Sequence, residues 1–248
     1  MTDTAATLLL AARRDPAKLL ADLPVALRPA DRAAAYLIQE AVMAELGPIG
    51  GWKVGSPSPD GPIQCGPLPE SGIVASPAAI PSEGSRIRGL EAEICFRMAQ
   101  DLPPRAAPYT REEVIAAIAS AHPAIELLES RFLDPDAVAP STNLADTQAH
   151  GRFVYGAGLA DWHHIDFAAE TVTQYVDGEV HMERTGNPCG DMLRLMVWMA
   201  NEGAIWAGGL KAGQFVTCGS WTGKTSVRSH ARLRVLFPSV GEVVADYV

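Results

Sequence analysis

Cysteine and positive charge are both scarce in this chain of 248 residues, and each scarcity removes a class of function. The four cysteines (Cys65, Cys95, Cys189, Cys218) form no Cys-x-x-Cys pair and sit in or near apolar segments. That spacing excludes a zinc knuckle and gives no disulfide framework, so buried thiols in a reducing cytoplasm are expected. Lys and Arg number 20 against 29 Asp and Glu, for a net charge of −9. So acidic a chain offers no basic face to nucleic acid or an anionic membrane. No segment approaches the ~20 apolar residues of a membrane span. Asp3 precedes the first apolar run and Arg13-Arg14 follow it, the reverse of a secretion signal. A soluble, cytoplasmic protein is expected. Gly-x-Ser-x-Gly is missing and no cysteine has an activating neighbour, so covalent catalysis is not favoured. Internal repeats and low-complexity tracts are also absent.

What is present is an ordinary globular composition, 48% apolar and 20% charged. The length allows one domain with an appendage, or at most two. Ala5–Leu20 and Arg32–Leu46 read as helices, the second with Ala35, Ile38, Val42 and Leu46 on one stripe. Residues 1–50 are therefore expected to form a helical N-terminal part and residues 51–248 a catalytic domain. Prolines and glycines crowd residues 50–84, predicting a long loop with one short strand near Ile73-Val74. Thr110-Arg111-Glu112-Glu113 predicts a capped helix to about Ala121, and Asp177-Gly178 a β-hairpin. Asn187-Pro188 predicts the start of a helix through Ala204. Residues 133–150 are polar and contain proline, as in a mobile lid. Strands outnumber helices beyond residue 50 and do not alternate regularly with them, which gives an α+β class.

The most telling pattern is Leu90-Glu91-Ala92-Glu93-Ile94-Cys95-Phe96. In a strand both carboxylates share one face while Ala92, Ile94 and Phe96 pack behind. Glu126 stands alone in a second apolar strand, Ala124–Leu128. Neighbouring carboxylates repel and desolvate badly without a cation between them. Three glutamates on two strands therefore suggest one hard divalent ion, Mg²⁺ or Mn²⁺. A solvent-facing strand edge would give the same alternation.

Other candidates are weaker alone. Lys53, in Gly51-Trp52-Lys53-Val54-Gly55, suits either a surface turn or a pocket that holds a substrate carboxylate. Gly219-Ser220-Trp221-Thr222-Gly223-Lys224-Thr225 is one residue short of a phosphate-binding loop, although Ser220 and Thr222 remain possible hydroxyl donors to a ligand. His163-His164 face opposite ways in a strand and read as surface residues. His150 is a lone acid–base candidate, and Asp146 suits a turn or the positioning of water.

Together the Gly51–Gly55, Glu91–Ile94, Pro123–Leu127 and Gly219–Thr222 segments resemble, in order and spacing, the fumarylacetoacetate hydrolase superfamily. The resemblance is to its 2-keto-4-pentenoate hydratase / 4-oxalocrotonate decarboxylase branch and runs from about residue 30 onward. It implies a mixed β-sandwich roll with outer helices, a homo-oligomer, and Mg²⁺ or Mn²⁺ held by Glu91, Glu93 and Glu126. Lys53 and Asp146 then fall at catalytic positions, with Ser220, Thr222 and Arg131 on the substrate, a small anionic 2-oxo acid. The implied reaction is hydration of a 2-hydroxypenta-2,4-dienoate in aromatic catabolism. Decarboxylation of an oxalocrotonate would need a second positive group, Arg131 or Arg152, and C–C hydrolysis of an acylpyruvate would need His150 as part of a His–Glu pair. A non-catalytic partner subunit is a further alternative. The chain departs from the family in its lid, where Ala145-Asp146-Thr147-Gln148 replaces a Ser-Asp-Asn run.

Overall fold

The computed structural model describes residues 4–248, which leaves Asp3 outside it. Among the described residues five α-helices, α1 (Ala5–Arg14), α2 (Arg32–Leu46), α3 (Arg111–Ala116), α4 (Pro140–Ala145) and α5 (Met192–Trp198), accompany two sheets. The strands are β1 (Ile49–Gly55), β2 (Gln64–Pro69), β3 (Ile73–Ala75), β4 (Ala78–Ile80), β5 (Gly89–Met98), β6 (Ile118–Leu128), β7 (His150–Tyr155), β8 (Thr171–Val176), β9 (Glu179–Thr185), β10 (Phe215–Cys218), β11 (Thr225–Ser226), β12 (Arg232–Phe237) and β13 (Gly241–Tyr247). The larger sheet runs β2-β1-β10-β5-β6-β7-β3, with β11 beside β5, and the smaller runs β4-β13-β12-β8-β9. This is a mixed α+β architecture with no closed barrel among the described residues.

The alternation of β5 explains the layering. Ala92, Ile94 and Phe96 are fully buried in the main core, which takes Val235, Val243 and Ala245 from the smaller sheet. Burial of apolar side chains between two sheets is the main stabilising term. No helix among the described residues is long and apolar enough to cross a membrane.

Several sequence expectations are corrected. The segment read as a loop from 50 to 84 holds four strands, and Lys53 lies in the middle of β1 rather than in a turn. Glycine there serves close approach, since a Cβ on Gly51 would stand 2.5 Å from the Phe215 carbonyl oxygen of β10. Pro67 and Pro69 are tolerated because β2 is an edge strand. The helix opened by Thr110 is capped as expected but ends at Ala116, and β6 begins at Ile118. Pairing of Ser120 to Leu128 along the length of β5 overrides helical propensity there. Helix α5 starts after Asp191, because Asn187 instead donates to the carbonyls of Cys218 and Gly219. The segment 133–150 is no free lid. It contains α4, and buried Gln39 of α2 donates to Leu144 O at 2.6 Å. The Asp177-Gly178 hairpin forms as read, with positive φ at both residues.

Candidate metal centre

The register of the larger sheet gathers the acids. Glu91 of β5 lies directly opposite Glu126 of β6, and Glu93 lies two residues along the same face. Each carboxylate places an oxygen within 4.8 Å of the other two. Lys53 of β1 is in register with Thr217 of β10, and Thr217 with Cys95 of β5. Four adjacent strands thus present Lys53, Thr217, Glu93, Glu91 and Glu126 on one face.

Their electrostatics are strongly coupled. Glu126 is fully buried, and its Oε1 accepts from Lys53 Nζ at 2.7 Å and lies 3.1 Å from His150 Nδ1. Its Oε2 is buried without any hydrogen-bond partner. Burial favours protonation of Glu126, but Lys53 and His150 outweigh it and hold its pKa below the ordinary value. Glu93 has no such cation of its own. Burial, Glu126 and Glu91 push it well above the usual range, although the Thr217 hydroxyl donates to it. Glu91 is raised by burial and Glu126, with Lys53 working against them. Burial opposes the Lys53 ammonium, but Glu126 and Glu91 overcome this and raise its pKa. Lys53 is therefore a fixed cation rather than a lysine poised to lose its proton. Burial lowers His150 to about 4 despite Glu126, so its imidazole is neutral near pH 7.

These residues fit a hard divalent ion. The donors are all oxygen, one oxygen is orphaned in the interior, and three acids converge on a single lysine. The face opens into a cleft of about 520 Å³ lined by Lys53, Glu91, Glu93, Gln148, Ser220 and Lys224, among others. The Ser220 hydroxyl biases Glu91 toward its charged form yet makes no well-formed hydrogen bond. At the rim, Lys224 Nζ lies 3.1 Å from Asp136 Oδ1 and ties the β10–β11 loop to residues 133–138.

The structure places other sequence candidates away from the cleft. Asp146 and Arg131 form a buried ion pair with each other, and Asp146 Oδ2 also accepts from Ser130 Oγ at 3.2 Å and Arg131 N at 3.0 Å. Thr222 Oγ1 is engaged by Ala92 N and Gln174 Nε2, both at 3.2 Å, so it braces β5 from within. His163 and His164 are exposed. Three site features escaped the sequence reading. Thr217 carries no local signal, and Lys224 was passed over with the failed phosphate-loop motif. The third is a run of three non-glycine residues with positive φ, Thr147, Gln148 and Ala149, immediately before His150. That turn aims the Gln148 carbonyl at Lys53 Nζ, 3.1 Å away. Positive φ at adjacent non-glycine residues is costly and persists only where surrounding contacts enforce it.

No family profile matches the chain. It is 29% identical over 257 residues to 2-keto-4-pentenoate hydratase 1 of Dechloromonas aromatica (strain RCB), covering 98% of this chain and 96% of that one. It is 30% identical over 159 residues to 2-keto-4-pentenoate hydratase of Burkholderia vietnamiensis, covering 64% and 60%. Among solved structures, 4-oxalocrotonate decarboxylase from Pseudomonas putida G7, complexed with magnesium and adipate, superposes with a TM-score of 0.79 at 23% identity over 100% of this chain and 99% of that one. In sequence and in its two-sheet fold, the chain is similar to proteins of the fumarylacetoacetate hydrolase superfamily. Within it, the similarity is to the 2-keto-4-pentenoate hydratase / 4-oxalocrotonate decarboxylase branch.

Proposed function

We propose that this protein is a divalent-metal-dependent hydro-lyase that adds water to 2-hydroxypenta-2,4-dienoate-like acids in aromatic catabolism. The observation that carries the reading is the triad Glu91, Glu93 and Glu126, grouped around Lys53 on one sheet face beneath a cleft. Glu91, Glu93 and Glu126 would hold Mg²⁺ or Mn²⁺, which supplies Lewis-acid stabilisation of an enolate when bound. Lys53 has two of its three donors committed, to Glu126 and to Gln148 O, and the third faces the cleft to bind the substrate carboxylate. Its raised pKa keeps it charged throughout turnover. The free Ser220 hydroxyl and the Gln148 amide, whose Oε1 lacks a partner, orient the substrate and the incoming water. A dienol that has ketonised presents a conjugated enone, and water adds there. Asp146 and Arg131 act from behind by fixing the ends of the Arg131–His150 segment. A cytoplasmic homo-oligomer is the expected state.

One observation favours a second reading, decarboxylation of an oxalocrotonate-like dicarboxylate. Lys224 at the cleft rim, where it pairs with Asp136, is a second cation that could meet a distal carboxylate, the part assigned from sequence to Arg131 or Arg152. Acylpyruvate hydrolysis is less well supported: His150 does pair with Glu126, as that reaction needs, but it does not line the cleft. Product balance with Mg²⁺-loaded enzyme separates the readings. Hydration incorporates ¹⁸O from labelled water into the product of the dienoate, whereas decarboxylation releases CO₂ from the oxalocrotonate. Absence of turnover with both acids overturns the assignment.

A further inference from the structure

A second cavity, of about 560 Å³, lies where α1 meets β6 and β7, and its character is opposite to that of the cleft. Five arginines line it: Arg13, Arg14, Arg86, Arg131 and Arg152. Two acids also line it. Glu129 is occupied by the backbone amides of Arg86 and Ile87, and Glu83 is exposed. Of the arginines only Arg131 has a carboxylate partner, Asp146, among the described residues. Arg86 donates to the carbonyls of Phe132 and Leu133, which are neutral. Arg13 donates to Thr147 Oγ1 at 3.2 Å and His150 O at 3.3 Å, also neutral. Arg14 and Arg152 are exposed and have no ion-pair partner among the described residues. Burial, with Arg131 beside it and Arg152 near, lowers Arg13 to about 9, a sign of positive charge that Asp146 does not offset. The fully buried His150 completes the wall, and its Nε2 has no hydrogen-bond partner.

Such a concentration of cations is out of place in a chain of net charge −9 unless something negative occupies it. We infer that this cavity is a binding site for a small dianion, a phosphate or a short dicarboxylate, held by Arg13, Arg14 and Arg152. Guanidinium forks match both ligands in a bidentate manner, and the volume accommodates either. The site is separate from the carboxylate cleft, and the inference stands whatever reaction the cleft performs.

The test is calorimetric titration of inorganic phosphate, and separately of succinate, into the Mg²⁺-saturated full-length protein, with ionic strength held constant by NaCl. One or both should bind saturably at one equivalent per chain. An Arg14→Gln/Arg152→Gln variant, altered only at exposed positions, should bind about tenfold more weakly for each charge-assisted hydrogen bond lost, with an unchanged melting temperature in chloride. Glu93→Gln, which disables the cleft, should leave the binding intact. Saturable binding of phosphate alone assigns the site to phosphate, and of succinate alone to dicarboxylates. The inference is overturned if neither ligand binds saturably, if the double variant binds as the parent does, or if Glu93→Gln abolishes binding.

Discussion

The acidic cleft and the arginine cavity are nearly equal in volume and both border the segment from Gln148 to His150, yet each concentrates charge of one sign. They tolerate that charge differently. A guanidinium offers five donors, and ordinary backbone carbonyls satisfy them, as Phe132, Leu133 and His150 do here. A buried carboxylate needs donors instead, and backbone amides in a sheet are already committed to neighbouring strands. Glu126 consequently keeps an unpartnered oxygen, while burial and the neighbouring acids push Glu93 toward its protonated form. Clustered arginines can thus persist half-satisfied, whereas clustered acids require a cation or protons.

The largest effect that would break this contrast is removal of an acid. Glu93→Gln or Glu126→Gln should weaken Mn²⁺ binding, followed by calorimetry, by more than the about 10–100-fold expected for loss of an outer-shell partner, and turnover should cease. Unchanged affinity in both would remove the cleft from consideration as a metal centre. Next in size, Lys53→Met leaves Glu126 without its ammonium. Breaking a buried pair costs about 3–5 kcal/mol, and urea unfolding of the metal-free protein at neutral pH should register most of it.

A pH series sharpens the comparison. Glu93 has a folded-state pKa well above its unfolded value of 4.5, so the folded state binds more protons between the two. Stability of the metal-free protein should then be fullest below the unfolded pKa and fall as pH rises through the raised one. Saturating Mg²⁺ should abolish that fall, because proton and cation compete for the same oxygens. Melting temperatures that rise with pH in the absence of metal would contradict the assignment. The smallest effect concerns the turn between the two cavities. Gln148→Gly removes a side chain from a residue at φ 52°, a conformation that costs an L-residue about 1–2 kcal/mol. The variant should unfold no more easily than the parent, yet turn over more slowly because the Gln148 amide is lost.

How much of this was legible in the sequence depended on distance along the chain. Period-two alternation identified the Glu91–Glu93 face, since it needs only neighbouring residues. The pairing of Glu91 with Glu126 depends on the register between strands 35 residues of chain apart, and no local pattern encodes it. Lys53 was visible as a residue but left open between a turn and a pocket, because Gly50 and Gly51 punctuate a sequence as strongly when they allow strands to crowd as when they reverse the chain. Thr217 is one threonine among many until β10 is inserted between β1 and β5. Arg131 and Asp146 were assigned to the substrate and the chemistry. Each has the other as its partner, an arrangement that depends on how residues 131–150 fold back on themselves.

The facing of Glu91 and Glu126 across two antiparallel strands also bears on how faithfully the chain folds. Side chains alternate at every residue, so a slip of β6 by one position would turn Glu126 toward the apolar layer and Ile125 or Leu127 toward the lysine. A carboxylate delivered there would meet Ile94, Phe96 and Val243, none of which can donate a hydrogen bond. The acid that completes the centre is in this sense a proofreader of strand alignment, penalising the misregistered sheet most heavily where the hydrophobic pattern alone would be most permissive.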